Sequence, residues 1–139
     1  LLHLLHHVLG AAAHGFHGAA LLADRLAAAV TAALADRSER AEVQVVELRE
    51  HARLAILRTL EDAPRYTSNV SMMTDLLIRY GIAYTRDQVV TEVHWLAEQD
   101  LVTKEDLNGF IVATATVRGV EVAQGVARHP GIQPRRPGA

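Results

Sequence analysis

Six side chains in the second half of this 139-residue chain carry chemistry suited to a polyanion: Thr85, Arg86, Gln88, Thr91, Lys104 and Asn108. A guanidinium can grip guanine or a phosphate, a glutamine amide matches adenine, and a threonine offers a phosphate contact or meets a thymine methyl. Thr85 to Thr91 open an apolar-periodic run, and a helix N-terminus there would itself favour phosphate. Lys104 and Asn108 fall where an adjoining hairpin could touch a neighbouring groove. Glu92 and Trp95 are expected on the same outward side. Asp87, Glu92, Glu105 and Asp106 oppose the reading by their charge, as does a formal net charge of −2. A strongly basic domain would have been direct electrostatic support.

The histidines suggest metal, since His3 and His7 are four apart and His14 and His17 three apart, both spacings that share a helix face. No acidic residue accompanies them before Asp24, and Gly10 and Gly15 interrupt the run. No physiological metal site and no cofactor is expected. With no cysteine, disulfides, thiolate-ligated zinc and a cysteine nucleophile are excluded. There is no glycine-rich phosphate loop, no nucleophile motif and no His-Glu-x-x-His helix, so catalysis is not expected.

The elements that must hold the six candidates can be read from the hydrophobic pattern. Glu47 to Glu61 carries Leu48, Ala52, Ala55, Ile56, Thr59 and Leu60 on one side, an amphipathic helix that stops at Pro64. Thr67-Ser68-Asn69 offers caps for a second helix with Met72, Met73, Leu76 and Leu77 apolar, and Gly81 sits where a left-handed terminator belongs. Thr85 can cap a third helix, Arg86 to Gln99, with Val89, Val93, Leu96 and Ala97 inward. Leu101-Val102-Thr103 and Phe110 to Thr114 read as strands around Asn108-Gly109, a strong hairpin signal. Trp95 is expected to seal this hairpin against the third helix. Thr116 to Arg128 returns to helix, with Val117, Val120, Ala123 and Val126 or Ala127 inward. The fold class expected is therefore mainly α with a small β-hairpin wing: a winged helix-turn-helix over residues 46–128. It is preceded by an Ala/Leu/His-rich extension, 1–45, helical or partly disordered, and followed by a flexible Pro/Arg tail, 129–139.

The extension has no Asp, Glu, Lys or Arg before residue 24. Its length would permit a membrane span, but five histidines and three glycines argue against one, and the charged second half of the chain does not look secreted. Ala19 to Val46 reads as helix, with Leu21, Leu22, Leu26, Ala29, Val30 and Ala33 at three- and four-residue spacings.

The runs His51 to Arg58, Ala63 to Tyr66 and Trp95 to Val102, with the segment Ala113 to Ala123, resemble small winged-helix proteins of Mu-like bacteriophages and prophages, often described as related to ArsR-type regulators. Thr116, Gly119 and Ala123 match a Thr-x-x-Gly-x-x-x-Ala pattern opening the last helix of that family. The resemblance covers residues 46 to 138. Family members begin near Val46, which leaves the preceding segment as an unusual extension or the product of an upstream start. It implies a cytoplasmic DNA-binding transcriptional regulator in a bacterial host, taking double-stranded DNA as a homodimer. The dimer contact would come from the N-terminal helix, or from Val120, Val122 and Val126 of the last one. The alternative is a winged-helix module that binds a phage or host protein.

Overall fold

The computed structural model describes residues 2–138, with side chains from residue 17 onward. It divides into two compact units, Leu1–Val43 and Gln44–Ala139. Helix α1 runs Leu2–Asp62. The boundary expected near Val46 is therefore not a helix break: residues 39–62 contain neither glycine nor proline, and nothing there stops the ladder. In the first unit the side chains described are exposed, Leu22, Leu26, Val30 and Leu34 among them at 58–62%. A stretch of this helix is long and apolar enough to cross a membrane by length and composition.

In the second unit the end of α1 is the core element. Ala52, Leu54, Ala55, Ile56, Leu57, Thr59 and Leu60 are all buried, so nearly every face of these turns is covered, not one face alone. Leu48, expected inward, is 44% exposed. After Pro64 the backbone reverses through Arg65 and Tyr66, both at positive φ, into strand β1, Thr67–Asn69. Sequence reading takes this tripeptide only as a cap. It does cap, since Asn69 Oδ1 accepts from Met72 N–H at 2.9 Å, but it also pairs antiparallel with a later strand.

Helix α2, Val70–Leu77, buries Val70, Met73 and Leu77, and a 3₁₀ turn leads to Gly81 at φ 75°. Helix α3, Arg86–Glu98, follows after Thr85. Strands β2, Val102–Leu107, and β3, Phe110–Ala115, form the hairpin, with Leu107 opposite Phe110. Asn108 and Gly109 between them have φ 56° and 85°, the pair of left-handed residues that a two-residue hairpin turn of matching twist requires. The sheet order is β1-β3-β2. Ile111, Ala113 and Ala115 face the core while Phe110, Val112 and Thr114 face away.

Helix α4 is shorter than expected, Val117–Gln124, ended by Gly125 at φ 83°. Val117, expected inward, is 79% exposed; of the pair Val126 and Ala127, Val126 is 76% exposed and Ala127 packs partly buried against the core, whereas Gly119, Val122 and Ala123 are buried. Val122 is therefore spent on the core and unavailable for a dimer contact. The Pro/Arg tail, expected to be mobile, is docked: Ile132 is 5% exposed and Gln133 N–H donates to the Glu50 carbonyl at 3.2 Å.

Candidate nucleic-acid interface

The candidate residues are positioned by one helix start and one hairpin. Thr85, extended at φ −74° and ψ 162°, caps α3. Its hydroxyl accepts from Gln88 N–H at 3.2 Å, and Gln88 Oε1 accepts from Thr85 N–H at 2.9 Å. This reciprocal capping box satisfies two helix-end donors and fixes the first turn. Gln88 therefore commits its carbonyl oxygen to the cap and is not a free bidentate reader of adenine. Thr91 is exposed one turn on and donates its hydroxyl to the Asp87 carbonyl at 3.0 Å.

Two cations tie this helix to the wing. The Arg86 guanidinium donates to the Gly109 carbonyl at the hairpin turn. Lys104 Nζ bonds His94 Nδ1 nearer the hairpin base. Asp106 Oδ1 accepts from Gly109 N–H at 2.8 Å, so one of the acidic wing residues is used inside the turn. Asn108 stands exposed beside it. The structure thus brings Arg86 to the turn beside Asn108, sets Lys104 against His94 nearer the hairpin base, and leaves Thr85 and Thr91 on α3. Sequence reading missed His94 because a single histidine beside a core stripe carries no spacing signal; only the hairpin's return brings Lys104 to it.

Glu92 is corrected from outward to buried. It is 3% exposed, with Arg53 Nε at 2.6 Å from Oε2 and Arg49 Nε at 3.9 Å from Oε1. A carboxylate this far from water needs partners, and the two arginines of α1 supply them. The signal was present: Val89, Glu92, Val93 and Leu96 form one i, i+3, i+4, i+7 stripe. The burial removes one of the negative charges that opposed a polyanion on the outer face of α3.

Trp95 is also corrected, since it does not seal the wing. The Arg53 guanidinium carbon lies 3.7 Å over its ring centroid, the His129 ring meets it edge-on at 5.5 Å, and Gly131 packs against it. Arg53 Nη1 also donates to the Gly131 carbonyl at 2.9 Å. Trp95 is therefore the seat of the tail. Tyr84, just before the cap, is half-buried, and burial pushes its phenol above the ordinary value, with the Glu92 charge acting in the same direction.

His3, His6, His7 and His14 lie outside the residues whose side chains are described. Among the described residues no three His, Cys, Asp or Glu side chains are grouped to hold a metal ion. A groove of about 490 Å³ between the end of α1, β1 and α2 is lined by Thr59, Pro64, Met72 and Tyr80 among others, with Asp62 and Arg79 also on its wall.

Helix, short helix, left-handed turn, capped helix and hairpin wing define the class: a winged helix-turn-helix protein. The chain is 48% identical over 92 residues to the uncharacterized protein gp26 of Escherichia phage Mu, across 66% of this chain and 95% of that protein, and it belongs to the family of that phage protein. It is also 45% identical over 67 residues to an uncharacterized protein of Haemophilus influenzae, across 48% of this chain and 65% of that one, so it spans just under two thirds of the latter. Among solved structures an apo double mutant of Lactococcus lactis ZitR is similar at 20% identity and a TM-score of 0.42, with 67% of each chain covered. No protein-family model matches the chain.

Proposed function

We propose that this chain is a phage-type transcriptional regulator that binds double-stranded DNA in the host cytoplasm as a homodimer. The observation that supports it best is the pair of ties from α3 to the wing, Arg86 to Gly109 and Lys104 to His94, which carry cationic groups along the junction of helix and hairpin. A recognition helix in the major groove and a wing on the adjacent backbone need this mutual fixation. The relation to ArsR-type regulators implied by the residue resemblance belongs to the same reading. Thr85, Arg86, Thr91, Lys104 and Asn108 would be the contact residues, with Gln88 acting through the cap. Dimerisation would use the exposed row Leu22, Leu26, Val30 and Leu34 of α1; two half-sites strengthen a module that alone is weak.

The test is fluorescence anisotropy with phage early-region duplexes at two salt concentrations, with Arg86→Ala beside the parent. The reading expects affinity that falls steeply with salt, favours particular fragments, and drops about 5- to 150-fold in the variant, the range of about 1–3 kcal/mol for one base contact. A folded protein that binds no fragment at low salt overturns it. The second reading, a module that binds a protein, is favoured by the cross-strand pair Leu107 and Phe110 at the wing tip, 53% and 51% exposed.

A further inference from the structure

A second cationic feature lies away from the wing. A pocket of about 290 Å³ between α1 and the tail is lined by His51, Leu54, Arg58, Gln133, Pro134 and Arg136. No carboxylate is among these residues, and neither Arg58 nor Arg136 has an ion pair among the described residues.

The pocket is built, and its parts have separate reasons to be where they are. Leu54, 6% exposed, gives it an apolar floor. Arg58 is half-buried with its guanidinium carbon 5.3 Å from the Tyr80 ring centroid, so stacking limits the directions it can point. His51 sets the opposite wall. Its Nε2–H donates to the Tyr80 carbonyl at 3.2 Å, and its Nδ1 lies 2.9 Å from the side-chain amide of Gln133. The backbone bond from Gln133 N–H to Glu50 then fixes the tail at this point. Beyond it the two arginines of the tail diverge: Arg135 turns to Glu61 at 4.0 Å and to the Ala123 carbonyl at 3.4 Å, leaving Arg136 on the pocket.

We infer that this pocket binds a phosphoryl oxyanion between Arg58 and Arg136. Two guanidinium side chains lining one pocket with an apolar floor offer the charge and the planar donors that phosphate oxygens accept, better than ammonium groups would. The His51–Gln133 contact positions the tail and is not itself a ligand. The phosphoryl group can belong to a free phosphoanion or to a nucleic-acid backbone, and the pocket borders Tyr80, the last residue before the turn that leads to α3. A free phosphoanion needs only the pocket, so this site does not depend on the duplex reading.

The experiment uses the full chain, ¹⁵N-labelled, titrated with inorganic pyrophosphate at an ionic strength held constant with sodium chloride. Saturable shifts confined to residues 51, 54, 58, 133 and 136 are expected, with at least a tenfold weaker midpoint in Arg136→Gln. Arg136 is exposed, so this variant keeps the fold; Arg58→Gln serves as the second, and Arg118→Gln on α4 as a control that leaves the midpoint unchanged. Shifts that never saturate, that spread equally over exposed arginines, or that keep the parent's midpoint in Arg136→Gln overturn the inference. For any duplex that binds, the salt dependence distinguishes the source. A log–log slope reduced by about 0.9 in Arg136→Gln identifies a backbone phosphate, and an unchanged slope beside saturable pyrophosphate binding identifies a free phosphoanion.

Discussion

Gly119 offers the sharpest test of how the wing is seated. It lies inside α4 with no positive φ to demand glycine, yet a Cβ built there would stand 2.0 Å from the Leu101 carbonyl oxygen and 3.0 Å from its carbon. The oxygen is not free to yield, because it accepts from Thr116 N–H at 3.0 Å, and Leu101 itself is fully buried at the base of β2. In Gly119→Ala, α4 must therefore retreat by roughly the 1 Å that separates 2.0 Å from the 3.0 Å floor of real side-chain contacts. Val122 and Ala123 would lift off the core with it. Overpacking of this kind costs about 1–3 kcal/mol, and loss of the Thr116 bond adds about 1 kcal/mol. The better helix propensity of alanine offsets about 1 kcal/mol. The net expectation is a loss of about 1–3 kcal/mol, or about 4–24 °C in Tm for a unit of this size. Trp95 is the chain's one tryptophan and lies in this unit, so its fluorescence in a thermal or urea melt reports the right transition and is blind to the N-terminal helix. An unchanged or raised midpoint in Gly119→Ala would refute the close-approach argument.

The other predictions concern charge. Glu92→Ala leaves Arg53, whose side chain is only 13% exposed, without its carboxylate, and should cost about 3–5 kcal/mol in urea unfolding, the penalty for breaking a buried pair; Glu92→Gln, which keeps the shape and an acceptor, should cost less. Tyr84 should titrate above 10.0 in the folded chain, because burial and then Glu92 disfavour the phenolate. By linkage the unfolded chain loses this proton first, so the stability that Tyr84 contributes is whole below 10.0 and is lost as pH rises through the folded value. Absorbance at phenolate wavelengths, parent against Tyr84→Phe, reads the titration directly, and a Tyr84 midpoint at or below the ordinary value would count against the assignment.

Much of the second unit was legible in the residues because its signals are local. Asn108-Gly109 needs two left-handed residues, Thr85 and Gln88 stand at capping-box spacing, and Gly81 follows its helix; each is decided within a few positions along the chain. The same locality explains what could not be read. Strand β1 is three polar residues, and it becomes a strand because β3 approaches it and Thr67 meets Thr114 hydroxyl to hydroxyl at 2.8 Å. The spacing puts Glu92 on the core stripe, but what holds its carboxylate there, Arg53 and Arg49, arrives from a helix some forty residues earlier. Trp95 and the Pro/Arg tail find each other only when the chain has folded back over Arg53. By itself the sequence determined the helices, the turns, the wing and the candidates on its leading helix, since backbone preference and period are properties of neighbours. Tertiary structure alone decided which charges are neutralised, which cations stay free and what the tail covers, because desolvation and Coulomb attraction depend on distance in space and not on separation along the chain.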